Sequence, residues 1–533
     1  MFHTQNLPLY AVPQLAHTDR AYAQEHPNLS AFYPHKPEMG AFEQIIRNKK
    51  ASYQPSTRQV LTQVLRQQYE NIPDNSQAMQ NVDLLAEART FTVCTAHQPL
   101  LFTGPLYFIY KIAAAIKTAQ ELKKAYPQYE FLPVYWIGSE DHDFDELNHC
   151  HIFGKKITWT DQQGGAVGSY DTQSLVEVVE NLKAILGNSS DYQSIIEKIT
   201  AAYLRKTTFA QATFAFVHEL FKHTNLLILD QRAADLKRLC APIFIDDLLH
   251  NSSFGLVNQT TQALNEKGFK TQAAPRPINL FYLLPNQRER LVFEQNQYKV
   301  LNTDIVIPQE GIETFVNEHI AQFSPNVILR PLMQEFVLPN LAYIGGGGEI
   351  AYWLERKTQF EFYQIPFPML IRRPSALFVD KNSGEKMQKF AFESNFWFET
   401  ADVITKKFLA DNSSEDISLT WEKEQIKNLY AQIMSQYPRL ATPLTNAIQA
   451  QQTTVTNLLN TLSEKMTREL KRLEAENVQQ ISRIKEKLFP NQGLQERTDN
   501  FIPLYAKYGA NFINFLIAAF EPFNPTFHIF TEQ

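Results

Sequence analysis

A segment rich in hydrogen-bonding side chains runs from Thr95 to Lys111, where a β-prone stretch leads through a loop into a helical pattern. Backbone N–H groups at the start of a helix are unpaired and lie at the positive end of its dipole, which favours an anion. His97 could stabilise charge or move a proton near pH 7. Thr103 could cap the helix, and Lys111, about two turns further on, could reach a phosphate or carboxylate. A capped turn around a structural histidine is the alternative.

A second cluster is acidic and directly follows the apolar run Phe131–Ile137. Its members are Glu140, Asp141, His142 and Asp143. Charged groups at the end of a buried strand are costly unless they pair or bind a ligand. They could bind Mg²⁺, hold an amine or act as a general base, whereas their spacing matches no zinc pattern. We therefore expect no tightly bound transition metal, and a solvated loop is the alternative.

Arginine and glycine mark two further clusters. Arg330 and Gln334 precede a run of four glycines, Gly345–Gly348, which is followed by Glu349. Glycines before a helix let the backbone approach a ligand closely, although this run matches neither the Walker nor the GxGxxG spacing. The run and its charged neighbours favour a pocket for an anion or an amino acid. Arg372, after another apolar run, could clamp a carboxylate or phosphate, or form a surface ion pair.

The composition limits the class of protein. Hydrophobic residues make up 44% and charged residues 20% of the 533 residues, which is ordinary globular usage and excludes wholesale disorder. A formal net charge of −6 makes the chain a poor candidate for gripping nucleic acid by its phosphates. Three cysteines are too few for a disulfide framework, and no stretch reaches 18 consecutive apolar residues. Residues 1–10 show no basic stretch followed by an apolar run, so we expect no signal peptide. We therefore expect a soluble protein of the cytoplasm.

Alternating strands and helices position these clusters. Apolar runs at 91–95, 131–137, 226–229, 327–329 and 368–371 predict strands, and helical patterns cover 105–125, 233–265 and 349–360. Strand, loop, helix and strand in succession form a βαβ unit. The predicted fold class is therefore α/β, with a doubly wound parallel sheet whose ligands bind beyond the carboxyl ends of the strands.

The last third of the chain is helical. Apolar residues there step by three or four, with Asn477 in the one missing place, and repeat every 11 residues: Leu459, Leu462, Met466, Leu470, Leu473, Ile481, Ile484 and Leu488. An 11-residue repeat is typical of nearly straight or slightly right-handed helix pairing, with another helix of the chain or with another subunit. We predict an N-terminal wrap at 1–89, a core at 90–380 with insertions near 152–203 and 267–323, an α-helical coiled-coil domain at 381–488, and a segment at 489–533 that packs back on the core.

Four groups of residues occur in an order that is specific to one family. They are His97-Gln98 with Phe102–Tyr107 and Lys111; Trp136-Ile137 with Ser139–Phe144; Arg330-Pro331 with Gln334, Leu338-Pro339, Tyr343, Gly345-Gly346, Glu349 and Tyr352-Trp353; and Leu494–Arg497 with Tyr508-Gly509. They resemble the signatures of the bacillithiol-biosynthesis cysteine-adding enzyme family and span almost the whole chain. From the clusters and this resemblance we assign catalytic roles to His97, Lys111, Asp141 and His142. Substrate or nucleotide binding is assigned to Gln98, Thr103, Gly104, Tyr107, Glu140, Asp143, Arg330, Gln334, Gly345, Gly346, Glu349, Tyr352 and Arg372.

The resemblance implies a function and a fold. It implies a ligase that joins cysteine to the amine of glucosaminyl-malate in the last step of bacillithiol synthesis. The cofactor that it implies is ATP or ADP, and Mg²⁺ could accompany the nucleotide. It also implies a Rossmann-like core related to class I nucleotidyltransferases and a coiled coil that forms a homodimer. From the net charge and the lack of a long apolar run we expect no nucleic-acid or membrane partner. Amide formation requires an activated carboxylate, and adenylation or phosphorylation would supply it. Two alternatives stay open: a nucleotidyltransferase-like enzyme for another small substrate, and a dimeric, non-catalytic binding protein.

Overall fold

The computed structural model describes residues 2–187, 189–205, 207–412 and 417–533. The chain divides into two compact units. The core unit contains Thr4–Leu377 and Gln495–Ile529, and the helical unit contains Met1–His3, Phe378–Leu494 and Phe530–Gln533. No helix within the described ranges is both long enough and apolar enough to cross a membrane.

The elements are numbered in chain order. The strands are β1 Phe2–Pro8, β2 Thr90–His97, β3 Glu130–Ile137, β4 His149–Ile152, β5 Lys155–Thr158, β6 Leu227–Asp230, β7 Leu280–Leu284, β8 Gln287–Glu294, β9 Gln297–Val300, β10 Val306–Pro308, β11 Phe323–Pro325, β12 Asn340–Gly345, β13 Met369–Arg372, β14 Ser375–Val379 and β15 Thr526–Glu532. The helices are α1 His17–Ala23, α2 Phe42–Ser52, α3 Pro55–Tyr69, α4 Ser76–Leu85, α5 Tyr107–Ala125, α6 Phe144–Leu147, α7 Leu175–Leu186, α8 Ser190–Tyr203, α9 Phe209–Phe221, α10 Ala234–Leu239, α11 Ala241–Leu249, α12 Ser252–Glu266, α13 Ile312–Glu318, α14 Arg330–Val337, α15 Gly347–Leu354, α16 Lys357–Phe362, α17 Lys381–Lys389, α18 Ala401–Asn412, α19 Thr420–Gln436, α20 Pro438–Leu473, α21 Ala475–Leu488, α22 Ile502–Tyr508 and α23 Ala510–Ala519.

A five-stranded parallel sheet forms the centre of the core unit, in the order β13-β12-β2-β3-β6. The chain runs outward from β2 through β3 to β6, and later returns to the other side of β2 with β12 and β13. All residues of β2 before His97 are buried, so both of its faces are covered. The predicted α/β, doubly wound parallel fold is confirmed. Its order reverses between β2 and β12, which is where such sheets open a ligand crevice.

One predicted strand is wrong and one central strand was missed. Residues 327–329 form a turn, because Asn326 accepts the backbone N–H of Ile328 at its side-chain oxygen and that of Arg330 at its carbonyl. Arg330 therefore begins α14 instead of following a strand. The strand that the sheet uses is β12, whose six residues are all buried. The predicted helix at 349–360 is also interrupted, since α15 ends at Leu354 and α16 begins at Lys357.

The two predicted insertions carry their own elements. The first contains the β4–β5 hairpin, whose strands pair antiparallel, followed by α7 and α8. The second contains most of a sheet in the order β10-β9-β8-β7-β11, in which every pairing is antiparallel. This second sheet matters for the site because β8 carries Arg288.

The helical unit contains α17–α21, and its longest helix is α20 with 36 residues. Helix α20 ends at Leu473, so the predicted 11-residue stripe is interrupted before α21 begins. Ile481, Ile484 and Leu488 are buried within the unit, whereas Leu462 and Leu473 are 47% and 70% exposed. The stripe therefore serves internal packing in α21 and leaves apolar surface on α20.

Candidate active site

A cleft of about 580 Å³ opens at the point where the sheet order reverses. Eight of the predicted site residues line it: His97, Gln98, Tyr107, Asp141, Arg330, Gly346, Glu349 and Tyr352. They come from the ends of β2, β3 and β12 and from the starts of α5, α14 and α15. The topology therefore brings together clusters that lie more than 200 residues apart in the sequence.

The floor of the cleft is an ion pair between Lys111 and Glu349. The Lys111 ammonium lies 2.7 Å from Glu349 Oε1 and also donates to the carbonyl of Ala96. Glu349 accepts a second hydrogen bond from Tyr343 Oη at 2.6 Å and a third from the backbone of Gly346 at 2.8 Å. This network joins the end of β2 to the start of α15 across the reversal of the sheet. Lys111 is buried and is not among the residues that line the cleft.

Charge and burial act in opposite directions on Glu349. Burial raises the pKa of its carboxyl, but the charge of the Lys111 ammonium and the hydrogen bonds that Lys111 and Tyr343 donate outweigh burial and lower the pKa to about 2. Glu349 is therefore a carboxylate at neutral pH, and it holds the first turn of α15 by returning to the backbone of Gly346. The glycine run lets the start of α15 pack closely against α1, since a Cβ on Gly347 would clash with the carboxylate of Asp19.

His97 is a neutral imidazole in this cleft. Burial and the neighbouring Lys111 ammonium lower the pKa of His97 to about 4. Its Nδ1 lies 3.1 Å from the carbonyl of Gln98. A carbonyl only accepts hydrogen bonds, so this contact assigns the proton to Nδ1 and leaves Nε2 as an acceptor. The ring packs between Tyr107 and Phe108, at centroid distances of 5.5 and 5.6 Å.

Asp141 is the acidic group of the loop after β3 that reaches the cleft. It accepts a hydrogen bond of 3.0 Å from Gln98 Nε2 and one of 2.7 Å from the backbone of His142. Burial raises the pKa of Asp141, but the bond from Gln98 and the charge of Arg288 lower it below its usual value. Asp141 is thus ionised and suited to holding an ammonium group.

Four guanidinium groups line the cleft, opposed by two carboxylates, Asp141 and Glu349. Arg330 donates to Gln334 Oε1 at 3.0 Å and to Tyr352 Oη at 2.7 Å, which are both neutral partners. Arg373 forms a 2.8 Å ion pair with the buried carboxylate of Glu496. The remaining two, Arg288 and Arg497, have no carboxylate within 4.0 Å among the residues that the structure describes. The cleft is therefore electropositive.

The other predicted site residues support the cleft from behind or lie elsewhere. His142 accepts from Arg288 at 3.0 Å through Nδ1, Asp143 caps α6, and Gln334 holds Arg330. Gly345 ends β12 and accepts the backbone N–H of Arg373.

Arg372 forms a buried, bidentate ion pair with Asp19, so it ties α1 to β13 and does not face the cleft. Glu140 points away from the cleft and pairs with the buried Lys237.

Thr103 and Gly104 shape the turn into α5 and do not line the cleft. Their φ angles are 68° and 62°, and a Cβ on Gly104 would come within 2.6 Å of Leu100. The side chain of Asn500 donates to the carbonyls of Phe102 and Gly104 at 2.9 and 2.6 Å. A residue 396 positions further along the chain therefore holds this turn in place.

Comparison with known proteins assigns the chain to a family. A family model described as "Bacillithiol biosynthesis BshC, N-terminal Rossmann-like domain" matches residues 3–374, and a second, described as its "C-terminal coiled-coil domain", matches residues 376–532. The chain belongs to the BshC family. The resemblance found in the sequence is confirmed, as is the combination of a Rossmann-like domain with a coiled-coil domain.

Relatives of the BshC family match along nearly their whole length. A protein of Flavobacterium psychrophilum is 37% identical over 95% of this chain and 96% of its own. One from Flavobacterium johnsoniae is 36% identical over 96% of each chain. Both are named "Putative cysteine ligase BshC". In the BshC family description Arg497 falls within the coiled-coil model, whereas here it lies in the core unit and lines the cleft.

Three arginines of the cleft were not assigned from the sequence. Arg373 directly follows Arg372, the last residue of β13, and it is Arg373 and not Arg372 that lines the cleft. Arg288 lies in an antiparallel hairpin without a recognisable pattern. Arg497 was part of the fourth family signature, which was the only signal that could have placed it here.

Proposed function

We propose that this BshC-family protein joins cysteine to the amine of glucosaminyl-malate in an ATP-dependent, amide-forming reaction, the last step of bacillithiol synthesis in the cytoplasm. Support comes from the relatives, each named "Putative cysteine ligase BshC", and from the family description, which names bacillithiol biosynthesis. The observation that carries the proposal is the charge of the cleft. Four guanidinium groups face two carboxylates there, and ATP, the cysteine carboxylate and the malate group are all anions at neutral pH.

The residues around α15 fit a nucleotide. The reversal between β2 and β12 is the usual ligand crevice of a doubly wound sheet, and α15 begins there with unpaired N–H groups. Gly348 leaves open space beside its Cα, so phosphate oxygens could approach the backbone. Arg330 and Arg373 would hold the phosphates. When bound, ATP supplies the leaving group that the cysteine carboxylate lacks.

The protein's own groups then orient and deprotonate the acceptor. Asp141, ionised and held by Gln98, would bind the ammonium of glucosaminyl-malate. His97 keeps its Nδ1 proton on the carbonyl of Gln98, so Nε2 is the atom that would take a proton from the attacking amine. A bound phosphate would raise the pKa of His97 from about 4 toward neutrality and strengthen it as a base. The tetrahedral oxyanion would be stabilised by the arginines of the cleft.

A reconstituted reaction tests the proposal. Purified protein with ATP, Mg²⁺, cysteine and glucosaminyl-malate is expected to form bacillithiol, followed by mass spectrometry, and the nucleotide product identifies the activation route as AMP or ADP. Omitting ATP should stop the reaction. Nucleotide turnover with another acceptor only would favour the nucleotidyltransferase alternative. Absence of turnover together with calorimetric silence toward ATP and cysteine would favour a non-catalytic binding protein.

Arg497 provides a test of the anionic ligands. Because it has no carboxylate partner among the described residues, Arg497→Ala removes a ligand contact without orphaning a buried charge. A hydrogen bond to a charged group is worth roughly 1.5–3 kcal/mol, so we expect about 10- to 100-fold higher KM for one anionic substrate with kcat little changed. The matched control is Arg89→Ala, at the opposite end of β2, where Arg89 pairs with the exposed Glu87. Unchanged KM values for ATP, cysteine and glucosaminyl-malate would exclude Arg497 from binding.

We also propose that α20 forms a homodimer with a second copy of the chain. Its exposed leucines are Leu440, Leu444, Leu458, Leu462 and Leu473, from 47% to 70% exposed. Leu440 and Leu458 are 18 residues apart, which is five helical turns, and the other three lie within about 60° of them. A continuous apolar face along one long helix is typical of a helix that pairs with a copy of itself.

Charge on this face should dissociate the dimer. The double variant Leu462→Asp with Leu473→Asp is expected to sediment as a monomer in analytical ultracentrifugation. Dimerisation would bury two unpaired carboxylates per chain, and removing them from water costs free energy. Thr453→Asp with Asn460→Asp introduces the same charge on the opposite side of α20 and should leave the dimer intact. A fully dimeric leucine variant would place the interface elsewhere.

A further inference from the structure

A second cavity, of about 900 Å³, lies on the other side of the loop that follows β3. Gly138 and Asp141 of that loop line the cleft, whereas Glu140 lines the second cavity. The end of β6 is divided in the same way, since Gln231 faces the cleft and its neighbours Asp230 and Arg232 face the second cavity. Consecutive Cα atoms are about 3.8 Å apart, so the wall between the two spaces is one backbone thick.

This wall is closed by hydrogen bonds and keeps the cavities separate. Ser139 Oγ donates to the carboxylate of Asp230 and so joins the two segments of the wall. The carbonyls of Ser139 and Asp141 accept from the backbone of Gly168 and Val167 at 3.1 and 2.7 Å. A Cβ on Gly168 would come within 2.3 Å of the Ser139 carbonyl, so the first insertion packs directly against the loop. The second cavity is therefore a distinct space and not an extension of the cleft.

A buried carboxylate of the second cavity has an unused oxygen. Glu140 is 1% exposed, and its Oε1 forms an ion pair with the ammonium of Lys237. Its Oε2 has no hydrogen-bond partner in the described part of the chain. Buried polar atoms are nearly always satisfied, so an orphan that lines a cavity points to a donor on a ligand or an ordered water.

The other side chains of the cavity define the ligand. Asp230 is neutralised by Arg232 at 3.1 Å, and Glu140 by Lys237, which leaves the guanidinium of Arg205 without a carboxylate in the described ranges. Gln67, Asn71 and Gln211 add amide groups, which donate to and accept from hydroxyls. Phe214 offers an apolar surface against which a sugar ring can pack. One free positive charge, several amides and a buried acceptor fit a hydroxyl-rich anion.

We infer that the second cavity is a binding site for an acidic glycoside, with its carboxylate at Arg205 and a hydroxyl or ammonium at Glu140. The choice of probes rests on the proposed function, under which two such molecules exist: the glucosaminyl-malate acceptor and the bacillithiol product.

A bulky substitution in the second cavity tests the inference at a residue outside the cleft. Ala215 lines the second cavity from α9, so the indole of Ala215→Trp should project into it and obstruct a ligand. The control, Gln63→Trp, places the same side chain on the exposed surface of α3, outside both cavities. In calorimetry we expect at least tenfold weaker binding of glucosaminyl-malate or bacillithiol by Ala215→Trp, with unchanged binding of a non-hydrolysable ATP analogue. Wild-type affinity for both glycosides would overturn the inference.

Kinetics distinguish the two sources of the ligand. A raised KM for glucosaminyl-malate in Ala215→Trp identifies the acceptor, whereas relief of inhibition by bacillithiol at unchanged KM identifies the product. If Ala215→Trp does not fold, Arg205→Ala should weaken binding of the acidic glycosides but not of methyl glucosaminide, and equal affinities in that variant and wild type would contradict the site. The site and the proposed function can fail independently. If glucuronate binds the wild type but not Ala215→Trp, the site is supported. If the wild type also forms no bacillithiol, the proposed function is rejected while the site stands.

Discussion

Replacing His97 by alanine is expected to lower kcat by about 10²–10³-fold, because the contribution of a positioned acid or base is typically 10²–10⁴-fold. The affinities for cysteine and glucosaminyl-malate should change little, since the ring acts on a proton and not on a substrate charge. Thermal unfolding should shift little as well, because the ring makes one hydrogen bond, to the carbonyl of the neighbouring residue. Turnover, calorimetric affinity and melting temperature measured on the same variant check these expectations.

His97→Gln separates the two chemical roles that an imidazole could have. A glutamine amide near the position of Nε2 can donate a hydrogen bond but cannot take a proton, so a base role predicts a variant as slow as His97→Ala. Recovery of turnover in His97→Gln would mean that the residue stabilises an anion by donation. In the enzyme without substrate the pKa of His97 is about 4. The plot of kcat/KM against pH should therefore show no titration of His97 between pH 5.5 and 8. Normal turnover in His97→Ala would move the catalytic assignment to Asp141.

Replacing Glu349 by alanine is expected to cost about 3–5 kcal/mol of unfolding free energy, because removing one partner of a buried ion pair leaves the other charge uncompensated. Lys111 is 1% exposed and would keep a single hydrogen bond, to the carbonyl of Ala96. The Tyr343 hydroxyl and the first turn of α15 would each lose an acceptor. Urea unfolding of the core unit, followed by its tryptophan fluorescence, measures the loss.

A matched glutamate shows whether burial is the cause. Glu361 pairs with Lys357 at 3.4 Å on the surface of α16, where its side chain is 60% exposed. Glu361→Ala should cost less than about 1 kcal/mol, as is usual for exposed pairs. The pH dependence provides a second check. The folded pKa of Glu349 is depressed, so its stabilisation is complete above the unfolded value of about 4.3 and is lost as pH falls toward 2. A loss below 1 kcal/mol for Glu349→Ala would contradict this account.

The sequence predicted those strands whose residues form a recognisable local pattern. Strands β3, β6 and β13 contain continuous apolar runs, and β2 alternates threonines with apolar residues of high strand propensity, as is usual for strands buried on both faces. Strand β12 was missed because it begins with Asn340 and adjoins Pro339 and the glycines, so its composition resembles a loop. The run at 327–329 is as apolar as a strand, yet the side chain of Asn326 closes it into a turn.

The candidate site was predictable in position and less so in orientation. Clusters at strand ends had to converge, because parallel strands place their carboxyl ends along one edge of the sheet. Which member of a cluster faces the cleft depends on the path of each loop, which spacing does not encode. Glu140 and Asp141 are neighbours, yet they line different cavities, and Lys111 turned out to be the floor of the cleft instead of its reactive surface. Long-range contacts such as that of Arg288 leave no local trace.

The contact of Asn500 with the turn at Phe102 and Gly104 affects how the chain folds while it is being translated. Asn500, Glu496 and Arg497 belong to the core unit, but they follow the whole helical unit in the sequence. A nascent chain that has been translated through β13 therefore lacks the side chains that hold the α5 turn and neutralise Arg373. At about 5–20 residues per second, roughly 6–25 seconds pass before these residues are made. During this interval the Rossmann-like domain lacks Arg497 in the lining of its cleft, so the cleft is completed only after the helical unit has been translated.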